Sequence, residues 1–461
     1  MQLFELIPFL ALTLPLIIGV MAKQWGFVSL VLLLIPKIRK YWIYIAVVCA
    51  GSSIKLISDY SASLPINQSS QLIAVVEKQY TNYDVVKILS KAPHTKIVLD
   101  KYQRVNIGDT LSATIYIEAI NKYKIDNKSI FKSESLQGTK YIGFIDTSQP
   151  IHLKAATPKH SFINNLRDSI ESKISQTSLK TQDKAIVKAM MIGDKSSISS
   201  KTFKLYRQAG VMHTLAVSGM HVGVIFLMLS LLLKFMNISR NLRVIRSVII
   251  IATLTIYALV CNLSPSVVRS VMMFSLYQVT SHFITNRYHS YNILLLCAFI
   301  MIAIEPNIIW NISFQLSFLA MGAIIYFADL SSYIWDKPKN RGEKLLKLLV
   351  ISCGVSIATL PLSLYYFGQG SIISPISNMI MITLLPLIFI SSTLLLTTGN
   401  WLIGKLVEII FDTTNLALEA LSSLDILYLQ AIEIELSELI ALYSSLAILA
   451  YYGIKFYICR K

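Results

Sequence analysis

The stretch "GVMHTLAVSGMHVG", Gly210 to Gly223, gathers His213, Thr214, Ser218 and His221 at the mouth of the apolar run "VIFLMLSLLLKFM". Imidazoles and hydroxyls bind metals, accept protons and activate nucleophiles, and hydrocarbon is a costly place to keep them. Read as one helix, the stretch sets Thr214, Ser218 and His221 on a single stripe. Gly219 and Gly223 fall on an adjacent stripe with the GxxxG spacing that lets a second helix come close. His213 and His221 then stand about 80° apart around the axis. Two histidines so placed lack the HExxH pattern and the further ligands of a zinc site, so no metal or other cofactor is expected. Ser218 and His221 lack a GxSxG elbow and an orienting carboxylate, which leaves a nucleophilic dyad poorly supported. Two readings stay open: a helix start with satisfied polar groups beside a packing face, and the lining of a polar pathway.

Three further segments place polar groups in apolar runs. "SPSVVRSVMMF" puts Arg269 one turn inside its run, either as a pathway group or snorkelling to the surface. "EPNIIWNISFQLSFLAMGAI" carries Asn311, Ser313, Gln315 and Ser317, which suit either a polar wall or bonds between helices. "ATLPLSLYYFGQGSIISPISNMIMITLLPLIF" holds Pro361, Pro375, Pro386, Gly368, Gly370 and Asn378. That density predicts broken helices, whose free backbone survives at membrane depth only under protein or water; the plainer reading is a kinked pair joined by a loop. Taken together, the four segments predict a polar route through a helical bundle.

The elements that must position these residues are legible in the composition. The chain of 461 residues is 54% hydrophobic, with a mean hydropathy of +0.60 and repeated apolar runs of near-span length. The expected fold class is a polytopic α-helical membrane protein of about 11–12 spans with an inserted extracytoplasmic small β-barrel, OB-like. Residues 1–60 hold the N-terminal spans, and "FELIPFLALTLPLIIGVMAK" reads as a retained first span because it lacks a basic leader and a cleavage site. Residues 65–158 change period. "QLIAVVEKQ", "DVVKILSK", "TKIVLD", "TLSATIYIEA" and "KYIGFID" are short, β-branched strands separated by turn residues, five in all. Residues 159–209 form a polar helical connector. From 210 to 461 apolar runs alternate with short loops, near 213–236, 244–261, 265–284, 291–305, 311–329, 346–366, 372–398 and 437–458. The run 402–424 either crosses or lies in the interface, since it carries Lys405, Glu408, Asp412 and Glu419. The five cysteines show no CxxC spacing and read as core residues.

The formal net charge is +17. In a membrane protein such an excess reports orientation before it reports nucleic acid. "KIRK", "NISRNLR", "TNRYH", "DKPKNRGEKLLK" and the tail fall on one side if every run crosses once, so that side and the C-terminus are expected in the cytoplasm. The β-block and the acidic stretch 425–438 are expected outside.

The same four segments resemble signatures of the ComEC-type competence proteins, the inner-membrane channels for single-stranded DNA in natural transformation. "GDKSSISSKTFKLYRQAGVMHTLAVSGMHVG" is similar to the most diagnostic stretch of that family, and the other three follow in the same order, over about 190–380. "VNIGDTLSATIYI" is similar to the family's OB-fold. The resemblance implies functional importance for Gly193, Asp194, His213, Ser218, Gly219, His221, Arg269, Gln315, Pro361 and Asn378. Within that set our own assignments are close packing for Gly219, a phosphate contact for Arg269, and polar wall for Gln315 and Asn378. It implies single-stranded DNA as cargo, membrane lipid around the spans, a DNA receptor outside, and a separate nuclease and cytoplasmic helicase or motor. The family's metallo-β-lactamase-like domain is not expected in this chain, which lacks HxHxDH and GxxxxGK[ST], and "NKSIFKSESLQGTKYIGF" stands where an NPGxFDY-like segment would be. The chain is therefore expected to be a channel and not an enzyme. The competing reading is a secondary transporter for a small anionic solute, for which broken helices near the midplane are equally diagnostic.

Overall fold

The computed structural model describes residues 68–79, 83–89, 96–100, 109–119, 141–145, 152–154, 162–215, 217–280, 289–335, 340–423, 428–430, 432 and 434–459. The expected spans within 1–60, the "KIRK" loop and the loop 281–288 lie outside the described residues. The chain forms two compact units, Met1–Ser161 with Ala298–Ile312, and Phe162–Cys297 with Ser313–Lys461.

In the first unit the alternating segments form strands β1 (Gln68–Gln79), β2 (Tyr83–Ile88), β3 (Lys96–Asp100), β4 (Thr110–Ala119), β5 (Tyr141–Ile145) and β6 (His152–Lys154). The order β1-β2-β3-β5-β4 returns to β1, so five strands close into a barrel while β6 pairs with β4. Strand β1 serves both ends of the ring. It pairs with β4 from Gln68 to Val75 and with β2 from Ala74 to Gln79, and a bulge between Val76 and Lys78 bends it from one partner to the other. The period of two does the rest: Leu72, Ala74, Leu111, Ala113, Ile115 and Ile117 point inward, and Ile73 points out. Gly143 on β5 faces this interior, where a Cβ would stand 2.6 Å from Ile115 and 2.8 Å from Leu99.

The second unit is helical. Three polar helices, α1 (Phe162–Gln176), α2 (Thr181–Ile192) and α3 (Ser200–Gln208), precede the apolar ones. Next come α4 (Gly219–Leu232), α5 (Arg240–Val260) and α6 (Pro265–Thr280). Helix α7 (His289–Ile304) is shared between the units, and α8 (Ile312–Ile334) and α9 (Arg341–Phe367) follow. The chain closes with α10 (Ser374–Thr398), α11 (Trp401–Ser422) and α12 (Leu436–Cys459). Each expected span from 213 onward corresponds to one of these helices. Among the described residues four are long and apolar enough to cross a membrane, within α5, α8, α9 and α10, and three shorter apolar helices join them. The chain is thus a polytopic helical membrane protein carrying a small barrel.

Two details differ from the sequence reading. Helix α4 begins at Gly219, because Ser218 is extended at φ −120°, ψ 169° and acts as the N-cap. Met212–Leu215 is a separate 3₁₀ turn, so Thr214 does not share a stripe with His221. The prolines also leave their helices unbroken: α9 runs through Pro361 and α10 through Pro386. The interruption falls instead between them, where Gly368 caps α9 in the left-handed region at φ 64° and a two-residue strand β7 (Gly370–Ser371) follows.

Replacing Gly143 by alanine should overpack the barrel and weaken it by about 1–3 kcal/mol. Limited proteolysis of the full chain should then show cleavage within 68–154 at lower temperature than in the native protein; an unchanged digestion profile would mean that the interior has room.

Candidate functional site

The segments with chemical potential meet at helix ends. Gly193 terminates α2 at φ 79°, a left-handed conformation that side chains rarely adopt, and its N–H donates to Ala189 O. Asp194 follows as a turn residue: Oδ1 accepts from Ser196 N at 2.8 Å, and Oδ2 pairs with Lys188 Nζ at 2.8 Å. Burial pushes this carboxyl up, but Lys188 and Ser196 outweigh it and hold the group below the ordinary carboxylate value. Gly193 lies against Val217 and Cys261, with a Cβ reaching within 3.5 Å and 3.6 Å of them. Val217 O in turn accepts from Ser266 Oγ at 2.8 Å. The α2 end, the α4 start and the α5–α6 corner therefore form one junction. At that corner Asn262 and Leu263 both take positive φ, 57° and 50°, and the Leu263 N–H closes onto Ala258 O at 2.8 Å. This is how α5 ends sharply enough to set α6 beside α4.

Within the junction, His221 is fully buried and caps its own helix. Ser218 N donates to His221 Nδ1 at 3.0 Å, which assigns the neutral ring's proton to Nε2. Ser218 Oγ lies 3.0 Å from the same nitrogen. The ring packs against Phe389 of α10 with centroids 5.5 Å apart, and Nε2 has no hydrogen-bond partner. His213, in the 3₁₀ turn, is exposed instead. The two imidazoles are not a matched pair.

Gly219 and Gly223 bring α4 onto α6: a Cβ on Gly219 would stand 2.7 Å from Ser270 Oγ, and one on Gly223 3.3 Å from Phe274. Five residues before Phe274, Arg269 is only 2% exposed. Its Nη2 donates to Ser313 Oγ of α8 at 3.1 Å, while Nε and Nη1 are buried with no partner. Among the described residues no ion pair reaches it. Two residues along α8, Gln315 shares a side-chain hydrogen bond with Tyr366 of α9. The arrangement is a guanidinium out of water, with Nε and Nη1 unpartnered and no counter-charge among the described residues.

A second junction forms at Gly210. At φ 74° it packs so tightly that a Cβ would stand 2.6 Å from Ser374 and 2.9 Å from Ser371, and Ser371 Oγ donates to Gln208 O at 2.8 Å. Strand β7 pairs with β8 (Tyr428–Leu429), and Ile432 N donates to Gly368 O at 3.1 Å. Ser356 and Ser374 lie 2.9 Å apart, and Asn378, one turn into α10, keeps a buried Oδ1 without a partner. Pro361 is buried in α9.

The structure thus joins Gly193, Asp194, Ser218, Gly219 and His221 around the first junction, and Arg269 to the polar turn of α8. It does not gather His221, Arg269 and Gln315 by any mutual contact, since His221 faces Phe389 and Gln315 faces Tyr366. Sequence reasoning missed Ser266, Tyr257, whose hydroxyl donates to Met190 O at 2.9 Å, and Ser371. A lone hydroxyl near an apolar run carries no periodic signal that would have found them. No group of three metal-binding side chains occurs among the described residues.

If His221 acts as a cap, His221→Ala should lose about 1 kcal/mol with the cap and more with the Phe389 contact. His221→Gln, whose amide oxygen can accept from Ser218 N, should keep most of it. Thermal unfolding of the detergent-solubilised chain reads this directly; an alanine protein as stable as the native one yet inactive would assign His221 to the pathway.

A family model described as Competence protein matches residues 190–456. The chain is similar to ComE operon protein 3 of Bacillus subtilis (strain 168), 30% identical over 197 residues that make up 43% of this chain and 24% of that protein. It is also similar to an uncharacterized protein of Aquifex aeolicus (strain VF5), 29% identical over 227 residues, 49% of this chain and 50% of the relative. The chain therefore spans half or less of the length of these two relatives. No solved structure matches it.

Proposed function

This chain belongs to the competence protein family, and we propose that it conducts single-stranded DNA across the cytoplasmic membrane, with Arg269 as a phosphate contact on the route. The observation that carries this reading is the guanidinium itself, 2% exposed with Nε and Nη1 unpartnered. An unpaired charge at such a position costs several kcal/mol, and only an anion or water that enters the site offsets it. A guanidinium offers phosphate forked, planar donors, and a strand brings one phosphate per nucleotide. Ser313 holds one edge of the guanidinium and leaves the other free.

The remaining parts suit this role. We read the closed five-stranded ring as OB-like, a barrel class that serves single-stranded nucleic acid, and assign it to the extracytoplasmic side from the basic loops. The C-terminus is then cytoplasmic. On this reading the chain supplies the passage, and a DNA receptor outside, a nuclease and a cytoplasmic motor are the activities that must accompany it. The small-anion transporter reading shared the broken helices with the channel reading, and the continuity of α9 and α10 through Pro361 and Pro386 withdraws that support from both.

In a transformable host whose own family member is deleted, Arg269→Lys should reduce DNA entry into the cytoplasm on the order of tenfold, and Arg269→Gln further. DNA captured outside the membrane and protein abundance should stay at the native level. Normal cytoplasmic entry with Arg269→Gln would refute the assignment of the phosphate contact.

A further inference from the structure

Helices α10 and α11 are an antiparallel hairpin. They are joined by Gly399 and Asn400, the first at φ 65° and the second capping α11 through Leu402 N. Pairing of β8 with β7 fixes the far end of α11 beside the start of α10. Helix α11 therefore returns through the whole depth of α10, despite Lys405, Glu408, Asp412 and Glu419. Both helices present oil on one side over that depth. On α10, Ile376, Leu387 and Leu394 are 46%, 48% and 47% exposed, a stretch of about 27 Å at the helical rise and close to the thickness of a bilayer core. On α11, Leu406, Ile409 and Leu416 are 50%, 62% and 69% exposed.

The other side of the hairpin carries the polar helices. Ser178, between α1 and α2, approaches Gly404 near the Gly399 end, where a Cβ would be 3.4 Å from its Oγ. Lys180 pairs with Asp412 at 2.6 Å halfway along α11, on the Ile409–Leu416 stripe at the edge of the apolar side. Gln208, at the end of α3, is bonded to Ser371 at the opposite end. Buried Tyr206 and Ile186 share a core with Leu385 and Phe411. So α2 and α3 lie at the depth where the far side of the same hairpin faces lipid.

Their basic residues differ in one respect. On α2 the lysines are engaged: Lys180 with Asp412, Lys184 with Ser175 O, Lys188 with Glu171 and Asp194. On α3, Thr202 and Tyr206 face the core while Lys201, Lys204 and Arg207 form the exposed stripe. Among the described residues no hydrogen bond or ion pair engages the ammonium groups of Lys201 and Lys204. Unpaired ammonium groups are not stable against hydrocarbon and require water or an anion.

We propose that the Lys201–Lys204–Arg207 face of α3 lines a hydrated groove at bilayer depth along the α10–α11 hairpin and binds the phosphates of single-stranded nucleic acid in transit. The depth of this face does not depend on the cargo, whereas the phosphate assignment rests on the DNA-channel reading. A strand there would be held by charge at successive phosphates and would slide, because lysines on one helical stripe do not read bases.

Two measurements on the full chain in lipid bilayers test this. Nitroxides at 201, 204, 409 and 416 report depth and surroundings by spin relaxation. Labels at 201 and 204 should respond to a water-soluble nickel complex, and those at 409 and 416, at comparable depth, to oxygen. Oxygen-dominated relaxation at 201 and 204, or all four labels outside the bilayer, overturns the groove. For the cargo, photo-crosslinking residues at 201, 204, 269 and 394 are exposed to an oligonucleotide stalled in transit by a bulky end. Crosslinks at 201 and 204 and none at 394 are expected, and Lys201→Glu with Lys204→Glu should lower DNA entry on the order of tenfold while arginine at both positions restores it. Crosslinks at 269 without any at 201 or 204 overturn this inference and leave the DNA reading standing. Water at 201 and 204 with no crosslink at any position overturns the phosphate assignment together with the DNA reading.

Discussion

Arg269 carries a permanent charge out of water, held by a single hydrogen bond to Ser313, and the surrounding helices are arranged in ways that keep it there. Two glycines on α4 let α6 approach to within contact of backbone, with Ser270 and Phe274 filling the space their side chains would occupy. The left-handed pair Asn262 and Leu263 turns the chain sharply enough to deliver α6 to that position. A guanidinium so placed is stable only if an anion or water answers it, which makes its unpartnered Nε and Nη1 informative about cargo.

The helix ends are tied by backbone more than by side chains. Gly193 and Gly210 stand at positions where a left-handed conformation is needed, and at Gly210 a Cβ would collide with the start of α10. Around them, carbonyls of Val217 and Gln208 accept from Ser266 and Ser371. Such contacts satisfy backbone groups that would otherwise be orphaned where chains leave their helices. His221 plays a similar part: its ring accepts from the Ser218 N–H at the start of α4 and packs on α10. The imidazole begins the helix because the helix needs an acceptor there.

Much of the architecture was legible in the sequence because it rests on period. Alternation gave five strands, and Leu72 and Ala74 do face the interior while Ile73 does not. Apolar run length placed α5, α8, α9 and α10 within a few residues. Period failed at the start of α4, where extended Ser218 breaks a pattern that reads as continuous. Composition misled at Pro361 and Pro386, since a proline inside a helix bounded by packed neighbours does not have to interrupt it. The run 402–424 could not be assigned from its charges, and only the pairing of β8 with β7, two residues in each strand, returns α11 to the start of α10. Contacts between residues distant in the chain, such as Lys180 with Asp412, leave no local trace.

The central claim is that the charge of Arg269 is answered by the cargo. Cryo-electron microscopy of the full chain in a nanodisc, with a single-stranded oligonucleotide stalled in transit, would test it most directly. The account predicts a phosphate oxygen within hydrogen-bond distance of Arg269 Nη1 or Nε, with Nη2 still on Ser313. A strand that passes elsewhere while a carboxylate of the protein occupies those two donors would contradict it.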